Sequence, residues 1–559
     1  MKKYACLFLC LLWASVPLIH AQTCSFPKRW ESKFDNDADY WRFTSSNGKF
    51  CIGTTKKDAC VLDGATGKTL WCKSFMDIAG VKDAASQEYI EDAERLLLIA
   101  KKKGNDEIFC LDVTTGNKIW SNTNYNGINL SDLIYIPNIK SFVVVLDKGL
   151  VFIDSETGKE QGSIDGLKGV IGRWSYLPST KQIVLLTYQV NAFKAIGSGF
   201  KNQLICIDAA SKKVEWQSEF KGVVEIKRYA SLSFSVFDWV AIGAEKGIGS
   251  SNVLVDFYIK NDRIYLVFNG LKVYDLNNGQ KVWDIDFDLS VNRGLGGSTQ
   301  MYNAVAEPLI TENFVYLVSF ESGRDKSIKK LDIATGKTIW EAPVDGRKVI
   351  IPNLVLIDGV LVAQFGGYVN LQGELNTSNG TTYFNKWEWK GPFGLKGFDD
   401  ATGKMLWETE KFDDRITNIV TTENKLAVAD KADFYLIDPK SGQTNAINFK
   451  ANKIGEANYV FKNGSDLVLM GEKGFNVYQA NGNLKYTLKS DEPDFGDSEQ
   501  YGSTYFLKEK DGIRAIRLEN GSVIGNYEYS KGFRYGIKAD GKYFYLLSEK
   551  KVVSYSVGQ

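Results

Sequence analysis

Five carboxylates crowd one stretch of this 559-residue chain: Asp491, Glu492, Asp494, Asp497 and Glu499. Calcium takes six to eight oxygen ligands, often from carboxylates at such density. Asp491, Asp494, Asp497 and Glu499 are therefore weak calcium candidates, beside the plainer reading of a solvated acidic loop. Asp275-Leu276-Asn277-Asn278-Gly279 opens like a calcium loop, yet no bidentate Glu follows, and it reads better as a turn. Gly294, Gly296 and Gly297 form a glycine-rich run before Ser298, but no helix opens there to cradle a phosphate. The single histidine is His20, inside an apolar N-terminal segment. Without it, Ser-His and Cys-His nucleophile activation and His-ligated zinc drop out. Carboxylates, lysines and tyrosines remain for proton transfer, but the sequence assigns no catalytic residue and no cofactor-binding residue.

Aromatic residues suggest recognition rather than catalysis. Residues 366–394 are rich in Gly, Asn and aromatic side chains, including Tyr368, Tyr383, Phe384, Trp387, Trp389 and Phe393. Tyr and Trp join a large apolar area to one polar atom and are favoured at interface centres. Tyr383, Trp387, Trp389 and Phe393 are the candidate recognition surface. A hairpin that covers its own domain is the alternative.

The N-terminus reads as an export signal. Lys2 and Lys3 precede an apolar run from Tyr4 to Ile19, and Ala21 offers a small residue for cleavage, so residues 1–21 are assigned to a secretory signal peptide. The run is too short for a bilayer span and Pro17 interrupts it. Ala21-Gln22-Thr23 before Cys24 lacks the small residue that a lipid-anchor site needs directly before its cysteine, which argues against an anchor. No later segment has the length and apolarity of a membrane span, so the expected location is the periplasm or the exterior. The formal charge of +1 becomes −1 once Lys2 and Lys3 leave, and no basic surplus points to nucleic acid.

Six cysteines remain beyond residue 21: Cys24, Cys51, Cys60, Cys72, Cys110 and Cys206. Cys51 and Cys60 are expected to face each other across a hairpin, and Cys72 follows the next strand. Either one bridge forms among these three or they are buried free thiols.

One unit positions everything else. Val61-Leu62-Asp63-Gly64-Ala65-Thr66-Gly67-Lys68-Thr69-Leu70-Trp71 reads as a strand, a tight turn and a second strand ending in Trp. Complete copies carry Asp112, Gly116 and Trp120; Asp275, Gly279 and Trp283; Asp332, Gly336 and Trp340; and Asp399, Gly403 and Trp407. Asp208 and Trp216 keep both ends, while Asp154 and Asp438 keep the turn without the Trp. Fainter copies lie around Asn481-Gly482 and Asn520-Gly521. Successive aspartates from Asp63 to Asp438 stand 39 to 67 residues apart. A four-stranded propeller blade takes about 40–50 residues, so the longer steps carry insertions, including 188–202, 230–256 and 366–394. The chain ends on a strand, Val552 to Val557, with no partner after it. Pro27-Lys28-Arg29-Trp30-Glu31-Ser32-Lys33-Phe34 near the start resembles the Trp-ending strand, so the two ends are expected to complete one blade and close the ring. Residues 22–559 are thus one all-β propeller region. The repeated Trp residues, at equivalent positions, are assigned to packing between blades.

The motif Asp-x-x-Thr-Gly-Lys-x-x-Trp resembles the tryptophan-docking repeat of pyrroloquinoline quinone (PQQ) repeat β-propellers, a family of quinoprotein alcohol dehydrogenase-like and WD40-like architecture. The family includes those dehydrogenases and the non-catalytic propeller of the outer-membrane β-barrel assembly machine. It usually closes at eight blades. Ten motifs are counted here and an eleventh arises where the ends join, which leaves open eight blades with inserted hairpins, a larger ring, or two rings. The dehydrogenase branch would imply PQQ, calcium and often a disulfide between adjacent cysteines. No such Cys pair occurs and no local stretch matches those ligands, which disfavours PQQ and calcium and places the chain nearer the non-catalytic branch. The functional expectation is an exported, non-enzymatic scaffold that binds a protein or another envelope macromolecule. A quinoprotein-type dehydrogenase and a glycan-binding propeller are the alternatives.

Overall fold

The computed structural model describes residues 26–557 except 34–39, 44–47, 102–105, 126–132, 147–148, 169, 189–201, 221–223, 226–239, 242–255, 268–269, 288–298, 303–304, 321–325, 345–348, 378–379, 491, 529–542 and 549–550. The signal-peptide segment, Cys24, the Gly294–Ser298 run and most of the insertions at 188–202 and 230–256 lie outside the described residues.

The fold is an eleven-bladed β-propeller of antiparallel sheets. Blades 1 to 10 span residues 40–74, 86–125, 134–164, 170–220, 256–286, 309–344, 353–408, 420–448, 457–489 and 494–528. Blade 11 joins Tyr543–Ser548 and Lys551–Ser556 to the N-terminal strand Lys28–Lys33, so the two ends of the chain share one sheet. Among the described residues the only α-helix is the five-residue Phe75–Ala79. The stretch from Glu88 to Leu98, the nearest to a helical pattern, is instead parts of two paired strands, Ser86–Ile90 and Arg95–Ala100, joined by a short 3-10 turn.

Burial follows position in the blade. Second and third strands such as Phe50–Thr54 and Asp106–Asp112 are buried almost throughout, because neighbouring blades cover both faces. Such strands read as continuous apolar runs rather than alternating ones. Fourth strands bury little: in Thr69–Ser74 the one buried side chain is Trp71.

The turns between third and fourth strands that begin with Asp share one plan. Asp63 Oδ1 accepts from the Thr66 N–H at 2.8 Å and from its hydroxyl at 2.7 Å, and the Gly67 N–H donates to the Asp63 carbonyl at 2.8 Å. Asp112 with Thr115, Asp332 with Thr335, Asp399 with Thr402 and Asp438 with Ser441 repeat the geometry. The Thr66 hydroxyl beside Asp63 holds its carboxyl below the usual value, and Thr335 and Thr402 do the same for Asp332 and Asp399.

The turn of one blade receives the Trp of the blade before it. The indole N–H of Trp71 donates to the Val113 carbonyl at 2.7 Å, one residue beyond the turn aspartate Asp112. Trp30, Trp120, Trp216, Trp283, Trp340 and Trp407 donate in the same way to the carbonyls of Gly64, Ser155, Leu276, Ile333, Asp400 and Pro439. The ring of Trp71 lies flat on Gly116, where a Cβ would stand 2.5 Å from it, and Gly116 has φ +65°. Both the space and the left-handed backbone admit only glycine comfortably. A fully buried Trp withdraws 150–250 Å² from water, roughly 4–6 kcal/mol of transfer free energy.

Where the motif lacks Trp, another side chain takes the place. The Tyr486 hydroxyl donates to the Leu518 carbonyl at 2.6 Å and its ring lies on Gly521. Lys212 lays its stem over Gly162 between blades 3 and 4, and Ile447 meets Gly482 between blades 8 and 9. Eleven apolar clusters result among the described residues, each spanning two consecutive blades. The last (Trp30, Cys51, Leu62, Tyr545, Val552) joins blade 11 to blade 1. The series has no break, so the blades form one ring, not two, and the faint motifs are blades rather than inserted hairpins.

The cysteine pairing differs from the hairpin expectation. Cys51 stands opposite Leu62, and Cys60 opposite Gly53, because the turn at Thr55–Asp58 sets the register two residues away from a Cys51–Cys60 match. Cys60 instead pairs with Cys72 on the fourth strand of blade 1, and the two form a disulfide. Cys51, Cys110 and Cys206 are buried free thiols; burial pushes Cys110 and Cys206 up to about 12.

Candidate functional site

Blade 7 departs from the common plan. Its second and third strands, Val360–Thr377 and Gly380–Asp399, are 18 and 20 residues long, against four to seven in the other blades. Their paired halves beyond Gly367 form an arm that reaches roughly 35 Å, at about 3.3 Å per residue. A two-stranded ribbon is marginal alone. Here Thr299–Tyr302, from the link between blades 5 and 6, pairs with Asn370–Gly373 and makes the arm three-stranded.

Strand alternation puts three aromatic rings on one face of the arm. Tyr368 stands directly opposite Trp389, and Trp387 opposite Asn370. Tyr368 stacks on Trp387 with centroids 5.2 Å apart and planes at 21°, and leans on Trp389 at 4.8 Å and 43°. Despite this mutual packing, Tyr368 is 48% exposed and Trp387 51%. Neither indole N–H has an acceptor among the described residues. Glu388, on the opposite face, is held below the usual carboxylate range by Lys386 and Lys390.

Phe393 does not continue this ladder. The pairing register breaks between Phe365 and Gly367, where residues 391–393 stand against the single Gly366. Two-residue alternation is lost across that bulge, and Phe393 packs into the cluster between blades 7 and 8. Tyr383 and Phe384 lie on the arm, in strand Gly380–Asp399, with their side chains outside the described residues.

The aromatic face looks into a groove of about 630 Å³ shared by four blades. One side is Tyr368, Trp387 and Trp389; the others come from Glu307 and Pro308 before blade 6, Pro352 and Asn353 at blade 7, Asn418 before blade 8, and Asn458 and Tyr459 of blade 9. Tyr459 is 50% exposed. Arg415 ties the arm to blade 9. Its guanidinium lies 5.2 Å from the Trp389 centroid, donates to the Ala457 carbonyl at 3.2 Å, and pairs with Glu456. Most polar groups of the groove already serve the fold. Asn418 bonds both the N–H and the carbonyl of Val460, and the Gln364 amide is held by Asn353 and Gly366. Glu307 is exposed and has no partner among the described residues.

The acidic stretch is dispersed into pairs. Asp494 meets Lys508 at 2.7 Å, Glu492 meets Lys510 at 3.1 Å, and Glu499 accepts from the Tyr501 hydroxyl. Asp491 and the Asp497 side chain lie outside the described residues. Asp275 is a turn aspartate, accepting from the Asn277 and Asn278 N–H groups at 2.9 and 3.1 Å. Among the described residues no group of three or more His, Cys, Asp or Glu side chains is placed to hold a metal ion.

A closed ring of blades, seven of them locked by a tryptophan seated on the next blade's Asp-to-Gly turn, defines a PQQ-repeat β-propeller. The family model described as outer membrane protein assembly factor BamB matches residues 27–227 and 195–364, and the chain belongs to that family. A comparison with curated proteins returned no match. Among solved structures, BamB from Moraxella catarrhalis is 16% identical over 61% of this chain and 92% of that one, with a TM-score of 0.25. The Dos1 propeller is 13% identical over 70% and 93%, with a TM-score of 0.34. No helix among the described residues is long and apolar enough to cross a membrane.

Most of the groove wall escapes sequence reasoning, Glu307, Asn458 and Tyr459 among it, and so does Arg415 beside it. They come from three separate blades, in stretches with no motif of their own. The one local signal was the length of the 366–394 insertion, which locates the arm but not what it leans over.

Proposed function

We propose that the protein is an exported, non-enzymatic propeller scaffold that docks a protein partner in the cell envelope, and that the groove under the blade 7 arm is the docking site. The observation that carries this reading is the exposed Tyr368–Trp387 pair, held on the arm that extends blade 7's sheet, beside the exposed Tyr459. Large aromatic rings kept half in water at a groove are the usual anchors of protein interfaces. The family's description, an assembly factor for outer membrane protein, supports a protein partner, and the N-terminal segment supports export. The test is a Trp387→Ala/Trp389→Ala double variant, checked for native folding and used to capture partners from envelope extract. Loss of a partner that wild type retains is expected; unchanged capture by a folded variant sinks the docking reading. Dye-linked alcohol oxidation by the wild type with added PQQ and calcium would overturn the non-enzymatic part.

A further inference from the structure

We infer that the groove receives a proline-rich segment of the partner, in the polyproline II conformation and carrying a cation, an inference that rests on the docking reading above. Four features select this ligand. The arm meets the groove with a sheet face rather than an edge, so an incoming β-strand gains no ladder of main-chain hydrogen bonds. The two indole N–H groups need carbonyl acceptors, and a polyproline II chain, which has no internal hydrogen bonds, leaves all its carbonyls free. Tyr368 packs against both Trp387 and Trp389 at different tilts, 21° and 43°, so the three rings form an uneven surface rather than one open plane. Proline-rich segments dock on aromatic-lined grooves, whereas a hexose needs an open face and several unengaged polar partners. The Asn418 and Gln364 amides are already engaged within the fold.

Charge sets the last feature. Arg415, whose guanidinium lies over Trp389, pairs with Glu456, which Lys431 shares at 3.4 Å, and has Glu472 at 3.9 Å. Glu307 in the groove wall is unmatched among the described residues. The field at the groove therefore favours a ligand cation, and a rigid, extended segment loses little conformational entropy on binding.

The test is fluorescence anisotropy with the whole protein and two labelled peptides, decaproline ending in arginine and decaproline ending in glutamate, with unlabelled cellohexaose as competitor. The arginine peptide is expected to bind, about threefold more tightly than the glutamate peptide, the scale of an exposed ion pair. Trp387→Ala is expected to weaken it by at least about tenfold. Since Trp387 is half exposed, the variant should melt as wild type does. Glu307→Gln should abolish the charge preference and keep the binding. No anisotropy change with folded wild type overturns the inference. So does binding indifferent to Trp387→Ala, or displacement by cellohexaose. If decaproline fails to bind while partner capture still requires Trp387 and Trp389, the proline-rich ligand is wrong and the docking site stands. If capture is also indifferent to both tryptophans, both fall.

Discussion

Replacing Gly116 with alanine adds one methyl group at a point where the blade 1 tryptophan leaves it no room. The added Cβ would stand 2.5 Å from the Trp71 ring, at a backbone φ of +65°. The left-handed conformation costs an L-residue roughly 1–2 kcal/mol, and forcing a ring aside in a packed interface costs about 1–3 kcal/mol. Gly116→Ala should therefore destabilise by about 2–5 kcal/mol. Trp71→Ala, which empties the same site and leaves the Val113 carbonyl without its donor, should cost about 3–5 kcal/mol. The double variant separates the two components of the glycine's role. With the ring gone the steric part vanishes, and the Gly116→Ala change should then cost only the backbone part, about 1–2 kcal/mol. The coupling is expected at about 1–3 kcal/mol, making the double variant more stable than the sum of the singles. Urea denaturation followed by circular dichroism measures it, with equal m-values as the condition for comparison. Additivity within about 0.5 kcal/mol would refute the view that the ring and the glycine constrain each other.

Acid should weaken the ring through its turns. Asp63, Asp332 and Asp399 are held below the carboxylate value of 3.8 by their Thr partners. That contribution is present above the unfolded value and lost as pH falls through the folded one. The urea midpoint should thus decline below pH ~4, and Thr66→Ala should bring the Asp63 titration, followed by NMR, back up toward 3.8. Removing the Cys60–Cys72 bridge with a Cys60→Ser/Cys72→Ser variant should cost about 2–3 kcal/mol for so short a loop. Native-state iodoacetamide labelling read by mass spectrometry should spare the buried Cys51, Cys110 and Cys206. Deleting residues 26–33 strips the closing strand from blade 11 and exposes a sheet edge. Size-exclusion chromatography with light scattering should show association, and a monodisperse monomer of wild-type stability would show that closure is dispensable.

The turn motif was legible because geometry demands the same three residues at each full copy. An Asp must accept the Thr N–H, a Gly must pass under the ring, and a Trp must supply the ring. Copies with substitutes were correspondingly faint, since Tyr486 keeps the hydrogen bond and the ring contact under a different letter. Closure by Trp30 was legible for the same reason. The cysteine register was not, because a two-residue shift in a hairpin turn changes no composition. The groove was half legible. Trp387 and Trp389 stood out in their own segment, yet Glu307 and Tyr459 gain meaning only from blades brought together across 152 positions of chain. Phe393 shared their composition but not their face, since the bulge at Gly366 is a matter of register.

The clasp in blade 11 alters how the hoop responds to a momentary rupture. Since Lys28–Lys33 is woven into the last blade's own sheet, a gap that opens between any two blades leaves their far sides tethered by the remaining ten interfaces. The separated faces stay within a few ångströms of one another, at an effective concentration that ordinary free domains never reach. Reclosure is then far faster than capture by another chain. For the hoop to come apart, a single gap is not enough: a second interface must fail, or the clasp strand must be drawn out of its sheet, before the first gap heals.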